Sequence, residues 1–269
     1  AKIAANEPIG ALWITQEDPD VIESRSMLNA LSTALTASRT RKFYFWGLMS
    51  VTKDDSDSDV LLRCGTFEDS YIVCGAGDYY SAGGALTGSY FHRPWSWHLA
   101  RTAARYRFSS DLGNHANGKA SSDLGFTAAI RDERTATTKL ATFRTPQTGT
   151  GGGFCVAEST TSGEVYTYQG RTMAAFGLIE GDASAMRVRL AASRQLQKDL
   201  DTQINNDIAV EPTGALTDSE EDRLSNLFTS NLRTLLFEDP DAPEGHASEL
   251  ADVVPFYTLA TKTLTAAFE

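Results

Sequence analysis

The sequence predicts an α/β protein: a mixed or mostly parallel sheet flanked by helices, with a β-hairpin and long C-terminal helices. Three observations carry that prediction. A strand–helix–strand pattern fits into residues 9–51, the spacing of a right-handed parallel crossover. Two strand-like runs, 154–158 and 164–168, are split by a polar turn, as in a hairpin. Two long amphipathic stretches with helix-start residues then follow, from Asp182 and from Thr217.

Composition narrows the function classes. Hydrophobic residues make up 41% and charged residues 22%, which suits a packed chain and argues against disorder. The formal net charge is −11, which disfavours a partner held mainly through its phosphates, since that affinity rests on cationic neutralisation. Cys64, Cys74 and Cys155 form no CxxC pair and leave one over, so reduced thiols are expected. The densest apolar run, Phe43 to Met49, is far short of the roughly 20 residues that a membrane helix needs. The chain starts Ala1-Lys2-Ile3, without Met or a signal pattern; a soluble intracellular product, trimmed at its start, is the expectation.

Ile9 to Thr15 is a nearly continuous apolar run, as in a buried strand, and Asp18-Pro19-Asp20 breaks it. Asp20 and Glu23 form a capping box for a helix to about Ser38, with Leu28, Leu31 and Leu35 on one face. Arg39, Arg41 and Lys42 sit at its C-terminal end, where cations suit the helix dipole. Phe43 to Val51 is the next strand. In the acidic loop Asp54–Asp59 the spacing invites a calcium loop, but the sixth position from Asp55 is Val60 and the twelfth is Thr66, so a solvated loop is expected. Leu61–Cys64 and Tyr71–Cys74 read as short strands.

Gly75-Ala76-Gly77 has the first two glycines of a dinucleotide fingerprint, but the third position is Tyr80. Ser81–Gly88 reads as a loop, which leaves no helix N-terminus to hold a phosphate. Pro94 fits the first turn of a helix from Trp95 to about Phe108. Arg101 and Arg105 are four apart and share a face. With Arg93, Arg107, Trp95 and Trp97 they form the most basic and aromatic patch of the chain. Nucleic acid or an acidic protein surface fits such a patch; the net charge favours the protein. His92, His98, His115 and His246 show no metal spacing and are expected to be structural or solvated, and no GxSxG elbow is present. Ser109–Asp123 reads as a loop, Leu124–Ile130 as a short strand or turn, and Thr135–Thr142 as a brief helix or strand. The glycines of Thr148–Gly153 lead into a strand, so they are not a phosphate loop.

In the C-terminal part, Met186, Leu190, Leu196, Leu200 and Ile204 line one stripe of the first helix. Thr217-Asp218-Ser219-Glu220 is a capping box for the second, which carries Leu224, Leu227, Phe228, Leu232, Leu235 and Leu236. Thr263–Phe268 alternates, with Leu264, Ala266 and Phe268 on one side, and reads as an end strand. The expected organisation is one core over residues 1–250 and an extended strand or linking arm over 251–269.

The order of these features resembles the core of contractile bacteriophage tail sheath proteins, including the divergent sheath-like proteins of myophages. The similar segments are Gly10-Ala11-Leu12-Trp13-Ile14-Thr15 with Phe43-Tyr44-Phe45-Trp46, then Trp97-His98-Leu99-Ala100-Arg101-Thr102-Ala103-Ala104. Gly153-Phe154-Cys155-Val156 through Gly170-Arg171-Thr172-Met173 and Pro212-Thr213-Gly214-Ala215-Leu216-Thr217-Asp218 follow. The resemblance covers residues 5–236. It implies a mechanical role: copies surround a tail tube, link through extended terminal arms that pair as added strands, and contract during genome delivery. It implies no cofactor and no active site. Its implied partners are other copies of the chain, the tail tube protein, and baseplate or tail terminator proteins, without membrane or direct nucleic acid. The implied location is the virion tail, assembled in the host cytoplasm. Few residues precede the first strand, so an N-terminal arm is expected to be absent or removed. The candidate interface residues are Arg93, Arg101 and Arg105 on the basic helix and Leu264, Ala266 and Phe268 on the end strand. Another tail or capsid structural protein, and a small α/β enzyme holding a nucleotide at Gly75–Gly77, are the alternatives.

Overall fold

The computed structural model describes residues 10–14, 21–51, 67–76, 78–82, 90–105, 111–113, 155–159, 165–167, 170–174, 181–203, 206–237, 250, 253–258 and 263–267. In chain order the elements are β1 (Gly10–Trp13), α1 (Val21–Thr40), β2 (Phe45–Val51), β3 (Ile72–Ala76), β4 (Asp78–Ala82), β5 (Tyr90–Pro94) and α2 (Trp95–Arg105). Then come β6 (Cys155–Ser159), β7 (Val165–Thr167), α3 (Ala183–Thr202), α4 (Asp218–Phe237), β8 (Val254–Thr258) and β9 (Thr263–Ala267). The chain forms two compact units, Ile9–Arg187 and Val188–Glu269.

The first unit is built on a five-stranded sheet of order β1-β2-β3-β6-β7. Strands β1, β2, β3 and β6 run parallel, and β7 returns antiparallel on β6. The alternation of β2 gives each face its own helix. Met49 joins Leu28, Leu31 and Leu35 of α1 with Ile72, Cys74 and Met173 in one buried cluster. On the opposite face Ser50 meets the start of α2. The two helices therefore cover opposite faces of the sheet. Helix α1 ends in a Schellman turn: Lys42, with φ of 65°, donates its amide to Arg39 O, and Phe43 donates to Ser38 O.

One part of this unit departs from the sequence reading. Ser81 and Ala82, expected to begin a loop, close strand β4, which pairs antiparallel with β5 in the register Tyr80↔His92. Aromatic residues on both sides of a Gly-rich stretch of sequence were the available hairpin signal. Gly75 and Ala76 belong to β3 itself. The proposed elements at 54–59, 61–64, 124–130 and 135–142 lie outside the described residues.

In the second unit, α3 and α4 bury Ala192, Leu196, Leu216, Leu224, Phe228 and Leu232 together with Val253. The β8–β9 hairpin lies on this cluster through Tyr257, Leu264 and Ala266. Two hydroxyls of α4 hold its entry: Thr229 Oγ1 accepts the Val253 amide at 3.1 Å, and Ser225 Oγ donates to Val253 O at 2.6 Å. The Thr217–Glu220 capping box is realised differently from its sequence pattern. Thr217 O accepts the Glu220 and Glu221 amides, while the Glu220 carboxylate takes two N–H bonds from Arg223. That hydrogen-bonded guanidinium holds the Glu220 carboxyl below its ordinary value.

Asp199 is, with Glu220, one of two buried acids among the described residues of this unit. Its Oδ1 accepts from Gln195 and Asn231, at 2.9 and 3.0 Å, while Oδ2 is buried without a hydrogen-bond partner. Burial pushes its carboxyl above the ordinary value, against the opposing pull of those two amides. For a group raised in the folded state, stability is complete at low pH and declines as pH rises through the folded value. Asp199→Asn is therefore expected to stabilise the chain by about 1 kcal/mol at neutral pH. It should also flatten the decline, which begins at the ordinary carboxylate value of the unfolded chain and ends once pH has passed the raised folded value. Urea unfolding followed by circular dichroism at a series of pH values checks this; an unchanged pH slope in the variant contradicts it.

Candidate assembly interface

The basic helix α2 is anchored to the sheet at its first turn. Trp95 is fully buried, packs against the His98 ring at 4.6 Å between centroids, and donates Nε1–H to Thr167 Oγ1 at 3.2 Å. The Ser96 amide, one of the helix-start N–H groups that lack an intrahelical acceptor, donates to buried Ser50 Oγ at 2.7 Å. Gly75 makes this approach possible. A Cβ there would stand 3.0 Å from Ser50 Oγ and 3.1 Å from the Ser96 amide nitrogen. The glycine read as half of a phosphate turn thus serves the seating of a helix, and that helix directs its amide into the protein.

From this anchor the helix projects an exposed side. Trp13 of the edge strand β1 donates Nε1–H to Ser96 Oγ at 3.2 Å and meets Trp97 edge-on, with ring centroids 5.0 Å apart. Both indoles stay exposed, Trp13 by 39% and Trp97 by 41%. Arg101 and Arg105 follow Trp97 at intervals of four, so the three share one side of α2. Arg101 is half-buried and Arg105 exposed. Leu99, Thr102 and Ala103 fill the opposite, buried side, and His98 is also buried, a structural histidine as expected. Near the last described turn, buried Arg187 donates Nη2–H to Ala103 O at 3.2 Å, where a cation suits the negative helix end. Its guanidinium lies 5.9 Å from the Trp46 ring.

Arg93 lies in β5, paired in register with Tyr79. It precedes the helix that carries Arg101 and Arg105. Leu264 and Ala266 sit far along the chain, in β9, with their side chains partly buried against the second unit's core. Phe268 and Arg107 lie outside the described residues. Strand β9 pairs with β8 of the same chain, in the register Phe256↔Thr265. Its partner β8 exposes Val254 and Phe256 on the outer face. Sequence reasoning missed Trp13 as a member of the α2 surface. An aromatic residue in the first, nearly all-apolar strand looks like core until the strand is found at the edge of the sheet.

Cys155, on β6, is a buried thiol. Burial pushes Cys155 up to about 12, so it stays protonated near neutrality, and its Sγ accepts the Arg171 amide at 3.2 Å. Among the described residues, no group of three or more His, Cys, Asp or Glu is arranged to hold a metal. No helix among them is long and apolar enough to cross a membrane.

Comparison with solved structures gives the class of this fold. The chain superposes on a chain of the anti-feeding prophage baseplate with a TM-score of 0.57 at 14% identity, covering 94% of this chain and 62% of that one. It superposes on the contracted helical sheath of the anti-feeding prophage at 0.58 and 14% identity, covering 97% and 65%. The PVC sheath of an extracellular contractile injection system, also contracted, matches at 0.55 and 8% identity, covering 83% and 59%. No family model matches the chain, and no curated protein matches it in sequence. The protein therefore has the fold of contractile-sheath chains. It spans about three-fifths of the length of the chains it matches.

Proposed function

We propose that this chain is a structural subunit of a contractile tail sheath that assembles with its own copies around a tail tube and contracts during delivery. The observation that carries the reading is the shared fold with sheath chains from two contractile systems, over 97% and 83% of this chain. The exposed aromatic and basic side of α2 and the exposed face of β8 supply surfaces for such packing. Work of this kind comes from rearranging subunits, so the reading requires neither an active site nor a cofactor. Tube, baseplate and terminator proteins are the partners it calls for, and the tail of a virion or a related injection particle is its place. The β8–β9 hairpin, with its backbone edges, fits the linking role expected for residues 251–269, through strands added from neighbouring copies.

One likeness lies in a baseplate, which favours a second reading: a ring-forming subunit at the base of the tail. Negative-stain microscopy of the purified chain across salt and protein concentration tests both. Helical tubes or stacked rings support the sheath, and single closed rings support the baseplate. Dispersed monomers under all conditions contradict the assembly reading.

A further inference from the structure

We propose that the Trp13–Trp97 patch with Arg101 and Arg105 docks onto the acidic α3–α4 turn of a second copy of this chain. The proposal rests on the assembly reading above and adds to it the two surfaces that meet.

The charge of the chain is strongly divided. Residues 9–187 carry 17 Lys and Arg against 19 Asp and Glu, a net of −2; residues 188–269 carry 6 against 15, a net of −9. Nearly all of the acidic excess thus belongs to the second unit, while the paired indoles with Arg101 and Arg105 belong to the first. Within the second unit, the connection between α3 and α4 exposes Asp207, Glu211 and Val210, the last by 36%, and Asp218 and Glu221 are exposed in the first turn of α4, whose start is tied back by the Thr217 amide donating to Ala209 O. The turn is held in shape by the Val210↔Leu216 bridge and by the Glu211 amide, which donates to Ala215 O at 2.8 Å. An apolar centre with an acidic border therefore exists on one surface, and an aromatic centre with a cationic border on the other.

That complementarity selects the partner. Paired indoles left open to water are a surface that gains by burial, and tryptophan and arginine are the residues that most often anchor an interface. Opposite charges around the rim steer and orient the approach. A nucleic-acid strand would also stack on indoles, but it would have to approach a chain of net charge −11. A second copy brings the apolar residue and the carboxylates together. Because the two surfaces differ, the contact is heterologous. Each copy keeps one surface of each kind unused after docking, so the contact propagates into a ring or a helix.

The test is a charge exchange. Arg101→Glu with Arg105→Glu reverses one surface; Asp207→Lys with Glu211→Lys, at exposed turn positions, reverses the other. Tryptophan fluorescence and circular dichroism confirm that each variant is folded. In sedimentation velocity at low salt, each variant alone is expected to lose self-association at least tenfold. An equimolar mixture of the two restores both pairings, unchanged patch on unchanged turn and reversed patch on reversed turn, and should assemble again, as should the chain carrying all four changes. Variants that assemble like the wild type, or a mixture that fails to assemble, overturn the proposal while the assembly reading stands. Loss of single-stranded DNA binding in the arginine variant, with self-association unchanged, assigns the patch to nucleic acid and also overturns it. A wild-type chain that stays monomeric at every salt concentration removes the assembly reading and the proposal with it.

Discussion

Trp95→Ala is expected to destabilise the first unit by about 3–5 kcal/mol, the range for deleting a fully buried aromatic side chain. Trp95 has no exposed surface and stands at the point where α2 meets the sheet. Its removal opens a cavity between α2 and the sheet, takes away the contact with His98, and leaves buried Thr167 Oγ1 without its indole donor. Trp95→Phe keeps much of the volume and loses the hydrogen bond, so it should cost only about 1–2 kcal/mol. The measurement is unusually clean here. All four tryptophans, Trp13, Trp46, Trp95 and Trp97, lie in Ile9–Arg187, so tryptophan fluorescence reports on that unit alone. Urea unfolding followed by fluorescence should show the alanine variant shifted well below the phenylalanine one. Equal midpoints for the two would mean that the hydrogen bond, and not the packing, holds this end of α2.

The same residue explains why a surface so polar at its rim can be rigid. Ser96 and Trp97 are its immediate neighbours, and Ser96 is tied on both sides: its amide to Ser50 and its hydroxyl to Trp13. The exposed indoles of Trp13 and Trp97 thus stand on a helix end that is fixed by buried contacts. A docking surface that is already ordered loses little conformational entropy on binding. Substitutions at Trp95 should therefore act on assembly through the shape of this surface, and substitutions at Arg101 through its charge.

Much of this fold was legible from local pattern. The crossover at 9–51 was readable because both strands are continuous apolar runs and the helix between them has a clear leucine stripe, Leu28, Leu31 and Leu35, all of which are buried. The two long C-terminal helices were readable for the same reason. What pattern did not show depends on contacts distant in sequence. Strand β4 is short and lies next to glycines, and its partner β5 is the only thing that makes it a strand. The division between the units falls at Arg187 and Val188, inside α3, so no break in periodicity marks it and residues 1–250 read as one core. The candidate surface on α2 was half legible. The spacing of Arg101 and Arg105 places them on one face from sequence alone, but Trp13 joins them only through the sheet edge, 83 residues before Ser96. Asp199 is by its sequence one more charge on a helix; its burial and its hydrogen bond from Asn231 of the next helix appear only in the fold.

Gly47→Val is expected to be the most damaging change in the sheet, because helix α1 rests directly on this residue. A Cβ at Gly47 would stand 2.8 Å from Leu31 Cδ2, 2.9 Å from Leu31 Cγ and 3.0 Å from Leu35 Cδ1. Neither leucine has room to yield: Leu35 has no exposed surface, Leu31 has 1%, and both belong to the cluster that holds α1 to the sheet. Valine has a good intrinsic preference for strands, so propensity alone predicts a gain. Overpacking opposes it and should win, at about 3 kcal/mol or more, with alanine costing less. Leu31→Ala on its own should cost about 2–5 kcal/mol by leaving a cavity in the same place. The two changes together put the valine methyls where the leucine was. The double variant is therefore expected to be more stable than the sum of the single losses predicts, by about 1–3 kcal/mol of coupling. Fluorescence-detected urea unfolding of the four chains in this cycle measures that coupling. A value near zero would show that the loss at Gly47 arises in the strand, and that α1 does not bear on β2 at this point.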